Sequence, residues 1–363
     1  MTSPVAREAI LLVGGQGTRL RPLTETTPKP MLRVAGTPLT VHQIARARQF
    51  GVTRIILATS YRAEVFATGI GDGTALGVTV EYAHEVTALG TGGAIRNAAA
   101  RLRAAPADPI LVFNGDVLSG VDIGAVVAAW SRQAADVALY LTRVADPRAY
   151  GLVPTDDSGV VRGFVEKPTT PAEVVTDQIN AGMYVFRRGI IDEIPPDEVV
   201  SVERQTFPAL LAAGRRVIGV VDDGYWLDLG TPAAFIRGSA DLVRGRVPSP
   251  VLLGPPGSSL VLPGAVVDRR ARVDGGSVIE SGARVGAQAH ISGSVIASGA
   301  TIGAGCIIED SAVGDDVVIG AGACVRASVL AAGARIAEGT RLTEARVWPG
   351  QSQPGEPGSS PPV

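Results

Sequence analysis

Through the last third of the chain, aliphatic side chains return every 17 residues. Ile279, Ile296, Val313, Leu330 and Val347 form one series. Val285, Ile302, Ile319 and Ile336 form a second, and Ile291, Ile308, Val325 and Leu342 a third. Within each period the steps are six, six and five, commonly flanked by glycine or alanine. One inward aliphatic per short strand, and three strands per coil, is the pattern of a hexapeptide-type parallel β-helix, whose coils bury their apolar sides against each other. The repeat predicts this solenoid over 260–349. Arg246 to Ser259, rich in proline and glycine, reads as a linker, and Gly350 to Val363 as a disordered tail.

Residues 1–245 follow another rhythm. Ala9–Val13, Arg54–Ala58 and Pro109–Phe113 are short apolar runs suited to buried strands, and Pro38–Phe50 suits a helix. Alternating strands and helices predict an α/β domain with a mostly parallel, Rossmann-like sheet. In such folds ligands sit at the carboxyl ends of the strands. The glycine-rich loop after the first strand and the Asn114-Gly115-Asp116 turn would then share one crevice. Net charge is −2, with acids and bases interspersed, which argues against a nucleic-acid or polybasic membrane surface. The apolar run near the N-terminus is too short for a signal-peptide core, and no run reaches membrane-spanning length. Cys306 and Cys324 have no metal-ligand spacing and fit a reduced compartment. The expectation is a soluble cytoplasmic protein.

Of 33 basic residues only two are lysines, Lys29 in Thr27-Pro28-Lys29-Pro30 and Lys167 in Val165-Glu166-Lys167-Pro168. Arginine supplies a planar fork, whereas lysine is a compact ammonium that meets one phosphate oxygen as a point charge. Two lysines kept against such a bias are candidates for chemistry. The loop Leu12-Val-Gly14-Gly15-Gln-Gly17-Thr18-Arg19 has glycines that let backbone N–H groups approach a polyphosphate. It is neither a Walker A loop nor a dinucleotide fingerprint, since no Gly-Lys-Ser/Thr follows and Leu20 stands where the third glycine would be. Arg19 can clamp phosphate bidentately.

This loop, with Leu89-Gly90-Thr91-Gly-Gly93, Phe113-Asn114-Gly115-Asp116, Glu166-Lys167-Pro168, Asn180-Ala-Gly182 and Trp226-Leu-Asp228-Leu-Gly-Thr231, resembles the ordered motifs of the sugar-1-phosphate nucleotidyltransferases. The C-terminal solenoid is similar to the left-handed β-helix appended to many members. The resemblance implies that a sugar-1-phosphate oxygen attacks the α-phosphate of a nucleoside triphosphate and releases pyrophosphate. Arg19 and Lys29 would neutralise the triphosphate, and Lys167 the phosphate of the sugar. Leu12, Gly14, Gly15, Gly17, Thr18, Leu89, Gly90, Thr91, Asn114 and Gly115 would line the nucleotide. Glu166, Asn180 and Gly151 would meet the sugar, since a carboxylate accepts hydroxyl protons and an amide does both. Asp116 and Asp228 would hold Mg²⁺.

The segment Val80 to Gly93 falls where this family reads the nucleobase; guanine offers N1–H and N2–H₂ as paired donors, and the resemblance implies that Glu85 would accept them. A solvated surface acid is the other reading of Glu85. The run through Glu85 to Thr91 is similar to that of GDP-mannose pyrophosphorylases, with Ala88 where proline is usual. The expected partners are therefore GTP, mannose 1-phosphate, GDP-mannose and pyrophosphate. A glucose-1-phosphate enzyme using another base, a non-catalytic regulatory homologue, and acyl transfer on the β-helix are the rivals. The last would need His290, which precedes inward Ile291 and should point outward. A homo-oligomer built through the β-helix is expected. Cys306 and Cys324 are expected to be small apolar fillers.

Overall fold

The computed structural model describes residues 5–252 and 254–353. Two compact units emerge, Met1–Gly15 with Thr40–Trp226, and Gln16–Leu39 with Leu227–Val363. The division differs from the boundary expected at 245. Segment 16–39 and the helix Pro232–Val243 join the solenoid because they bond to each other and pack on it. Ala35 N donates to Ser239 Oγ at 2.8 Å, and a side chain at Gly36 would strike Leu262, or at Gly276 would strike Ala240.

The first unit is built on nine strands: β1 (Glu8–Leu12), β2 (Arg54–Thr59), β3 (Thr79–His84), β4 (Pro109–Asn114), β5 (Val137–Arg143), β6 (Gly151–Leu152), β7 (Val165–Glu166), β8 (Gln178–Arg187) and β9 (Val217–Val221). Their order is β7-β6-β8-β4-β1-β2-β3, with β5 joined to β8 and β9 to β5. β1 lies parallel between β2 and β4, with Ile10 opposite Ile56 and Val112. These strands are buried on both faces, which is why they read as unbroken apolar runs rather than alternations. β8 runs antiparallel to β4, β5 and β6, so the sheet is mixed. Tyr184 and Phe186 of β8 pack with Phe207 in the core beside these strands. The expected helix from Pro38 begins at Leu39, because Pro38 is taken into a two-residue strand paired with Arg33–Val34.

In the second unit three stacks of short parallel strands, six, six and five deep, follow one another around the coil. They are consistent with a left-handed parallel β-helix. The three aliphatic series form its interior, all buried except Leu342, which is partly exposed on the last coil. Strand partners are 17 residues apart, as in Val295↔Ala312↔Val329. The first coil is one residue longer, with Ser259↔Ser277 and Arg272↔His290, the extra residue falling at Gly275-Gly276. Ser352–Gln353 pairs with Arg335–Ile336, so the solenoid continues past the expected end at 349. The rest of the predicted tail lies outside the described residues. Cys306 and Cys324 are buried free thiols, as fillers would be. His290 is partly exposed, its Nε2 3.3 Å from Asp274 Oδ2 on the neighbouring coil. Among the described residues no helix is long and apolar enough to cross a membrane.

Candidate active site

The carboxyl ends of β1 and β4 lie side by side, and β1 is the strand from which the sheet order turns in both directions. This is where an open α/β sheet offers a crevice. Gly115 N donates to Leu12 O at 2.9 Å, tying the two loops together. Ser60 Oγ donates to Gly14 O at 2.7 Å, and Gly15 is exposed. Gln43 Nε2 donates to Asn114 O at 2.9 Å and holds the turn that carries half-buried Asp116.

At the end of β3, Glu85 is buried rather than solvated, which removes the surface-acid reading. Its Oε2 accepts from Leu89 N at 2.9 Å, fixing the carboxylate against the start of the helix Gly90–Ala99. Burial pushes its carboxyl above the ordinary glutamate value, and the Leu89 amide pulls it partly back. The hydroxyl of Thr91, a residue expected at the nucleotide, bonds within the protein. It donates to Glu203 Oε2 at 2.8 Å and accepts from Val202 N at 2.9 Å. Gly90 has φ +72°, and a Cβ there would stand 2.6 Å from Val200 O. The Leu89–Gly93 motif thus docks the Glu198–Glu203 strip. Sequence reasoning missed that role; its visible signal was Ser201-Val-Glu203-Arg204, an N-cap serine with nearby acid.

Gly151 and Glu166 are opposite each other on β6 and β7. A Cβ on Gly151 would stand 2.5 Å from Glu166 Oε2, so glycine makes room for the carboxylate. Lys167 adopts φ +52°, rare for a side chain with a Cβ, and is 63% exposed, 3.7 Å from Glu166. Asn180 donates to Tyr184 Oη at 2.8 Å and accepts from Gly182 N at 3.1 Å, so its amide is oriented by its own strand. Trp226, which opens the motif ending at Thr231, meets Tyr150 edge to face at 5.3 Å, and its indole donates to Ala181 O at 3.0 Å.

The second unit carries Arg19 and Lys29. Gly17 takes φ +61°, where a Cβ would strike the Lys29 side chain at 2.8 Å. Thr18–Leu20 forms one 3₁₀ turn. Lys29 is only 7% exposed and donates to Asp228 Oδ1 at 3.1 Å. Arg19 Nη2 lies 4.0 Å from Asp228 Oδ2 and is largely exposed. A buried ammonium needs such a counter-charge. Three residues beyond Asp228, Thr231 caps the helix Pro232–Val243, accepting from Ala234 N at 3.2 Å with proline at the first helical position. No cluster of three or more metal-ligating side chains occurs among the described residues.

Residues 8–245 match the family model described as nucleotidyl transferase. The chain belongs to the nucleotidyl transferase family. Residues 256–352 of this nucleotidyl transferase match a second model, the GMPPB C-terminal domain. A mannose-1-phosphate guanylyltransferase of Mycobacterium tuberculosis (strain ATCC 25618 / H37Rv) is 52% identical over 280 residues, 77% of this chain and 76% of the relative. A mannose-1-phosphate guanylyltransferase catalytic subunit beta of Drosophila melanogaster is 34% identical over 271 residues, 74% and 71% of the two chains. Among solved structures, HddC from Yersinia pseudotuberculosis is 29% identical with a TM-score of 0.55, covering 64% of this chain and 98% of its own. A second structure of that protein, complexed with GMP-PN, aligns with a TM-score of 0.54.

Proposed function

We propose that this nucleotidyl transferase moves GMP from GTP to mannose 1-phosphate, giving GDP-mannose and pyrophosphate. The identity to guanylyltransferases supports the reaction. One observation on the chain itself carries the choice of guanine. Glu85 is a buried carboxylate locked in direction by Leu89 N, and its lone pairs suit paired N–H donors.

In this reading an oxygen of the sugar phosphate forms a bond to the α-phosphorus while the bond to the β-phosphate oxygen breaks. Pyrophosphate leaves with that electron pair. The protein's work is positioning and charge neutralisation. Lys29 and Arg19 meet the triphosphate charge, and Asp228 holds both beforehand. Lys167 receives the sugar phosphate. Glu166, with Gly151 beneath it on β6 and Asn180 one strand further on β8, meets the sugar hydroxyls. The loop Leu12–Thr18, with Asn114, Gly115 and the Leu89–Thr91 backbone, lines the nucleotide.

The family generally uses a divalent metal. In this reading the metal is Mg²⁺ arriving with the nucleotide. Two carboxylates, Asp116 and Asp228, are the donors, without the fuller acidic cluster of a self-sufficient site. Bound there, the metal would offset charge on the phosphates. The reading also requires a cytoplasmic supply of both substrates and expects assembly through the β-helix.

The test is pyrophosphate release from the full chain with Mg²⁺, crossing GTP, ATP, UTP, CTP and dTTP with mannose and glucose 1-phosphates. Turnover confined to GTP with mannose 1-phosphate is expected. Preference for another base overturns the role of Glu85, preference for glucose 1-phosphate overturns the sugar, and silence with all pairs overturns catalysis.

A further inference from the structure

Lys29 lies in a 3₁₀ turn closed by Leu32 N donating to Lys29 O at 3.1 Å. The next residue, Arg33, opens the small hairpin that ends this segment. Its fork does not point to phosphate. Nε donates to Glu280 Oε2 at 2.7 Å, and Nη2 donates to Asp315 Oδ1. Between these acids Ser298 donates from Oγ to Glu280 Oε2 and from N to Asp315 Oδ1, both at 3.1 Å. Glu280, Ser298 and Asp315 sit at one corner of three successive coils. One guanidinium therefore ties the segment bearing Arg19 and Lys29 across three coils of the solenoid.

The chemistry is poorly suited to stability alone. Glu280 is 1% exposed, and its Oε1 has no hydrogen-bond partner among the described residues. Burial pushes its carboxyl up, and Arg33 draws it partly back. An apolar pair of equal volume would stabilise such a contact as well or better. What a fork between two carboxylates adds is register. Packing alone leaves slack here: Leu23, Met31 and Phe235 border a cavity of about 80 Å³ beside the fork. On its other side the hairpin is held by Ser239 of the helix Pro232–Val243, the helix that follows Asp228.

We infer that Arg33 is a positioning residue, through which Glu280 and Asp315 of the β-helix set the placement of Lys29 against Asp228. The β-helix is then a working part of the transferase. This rests on the proposed role of Lys29.

The chain's two lysines provide the test. In the full-length protein Lys29 is buried and Lys167 exposed, so an amine-acylating reagent read by mass spectrometry labels Lys167 first and uses it as internal reference. Arg33→Ala strands Glu280 and risks the fold, so R33A/E280Q, which removes both charges, is the informative variant. It is expected to melt cooperatively, to label Lys29 about 10-fold faster with Lys167 unchanged, and to lose about 10–100-fold in kcat with KM for the sugar phosphate retained. Arg33→Lys, which keeps the charge but not the fork, should fall between. Wild-type labelling of Lys29 in folded R33A/E280Q overturns the inference, as does wild-type kcat. A wild-type protein silent with every substrate pair sinks the proposed reaction instead, and the labelling still decides the role of Arg33.

Discussion

At the residue scale the site is organised by burial. Lys29 is shielded and paired, whereas Lys167 is exposed and left-handed, so the proposed reaction gives the two lysines different work. Lys29→Met keeps length and apolar stem but removes the charge. It is expected to lower kcat by about 10²–10³-fold, as loss of one preorganised donor to a reacting phosphate does. Steady-state kinetics with saturating sugar phosphate would show it. Glu85 supplies a pH test. Its carboxyl is raised by burial, and only the ionised form accepts two guanine donors. As pH falls through that raised value Glu85 takes up a proton, so kcat/KM for GTP should decline at a higher pH than an ordinary glutamate would produce. Glu85→Gln should abolish that limb and weaken the preference for GTP. An unchanged acid limb in the variant would assign it to another group.

At the element scale the β-helix has a fourth ladder besides the three aliphatic ones. Ser277, Ser294, Ser311 and Ser328 repeat at 17 and are almost wholly buried. Each Oγ accepts the amide of the next coil: Ser294 N, Ser311 N, Ser328 N and Ala345 N at 3.0–3.1 Å. The hydroxyls donate back to nearby carbonyls, such as Ser311 Oγ to Glu309 O at 2.7 Å. Small polar side chains here satisfy backbone groups at a tight corner where no strand partner reaches. Ser311→Ala leaves the Ser328 amide without its acceptor and should cost about 1–3 kcal/mol in urea unfolding. A cost near zero would mean that water replaces the hydroxyl.

At the scale of the whole molecule, the matched family region ending at 245 and the compact units are not the same partition. The chain crosses from one unit to the other inside the glycine loop, between Gly15 and Gln16, returns between Leu39 and Thr40, and crosses again between Trp226 and Leu227. A chain stopped after residue 245 keeps every motif of the first domain. It loses Glu280 and Asp315 for Arg33, Leu262 for the hairpin turn, and Gly276 as cover for Ala240. Loss of several kcal/mol would lower the melting temperature by about 10 °C for a chain of that size, with transferase activity falling in parallel. Calorimetry and the pyrophosphate assay on the truncated chain would check this, and full activity at the native melting temperature would refute it.

What the sequence determined by itself is whatever repeats or stays local. The 17-residue period specifies a solenoid because each coil needs only its neighbour, and the inward series could be named one residue at a time. The buried strands, the glycine loop and the two lysines were legible for the same reason, since each motif carries its own local chemistry. Only the tertiary structure decided which partners orient these groups inside the protein. The Thr91 hydroxyl bonds to Glu203 and Val202, the Asn180 amide is oriented by Tyr184 and Gly182, and Glu85 is buried. Arg33 sits 247 residues from Glu280 and 282 from Asp315, and nothing in its own neighbourhood announces either. Partners at such separation are chosen by how whole elements pack, and a linear pattern holds no record of that choice.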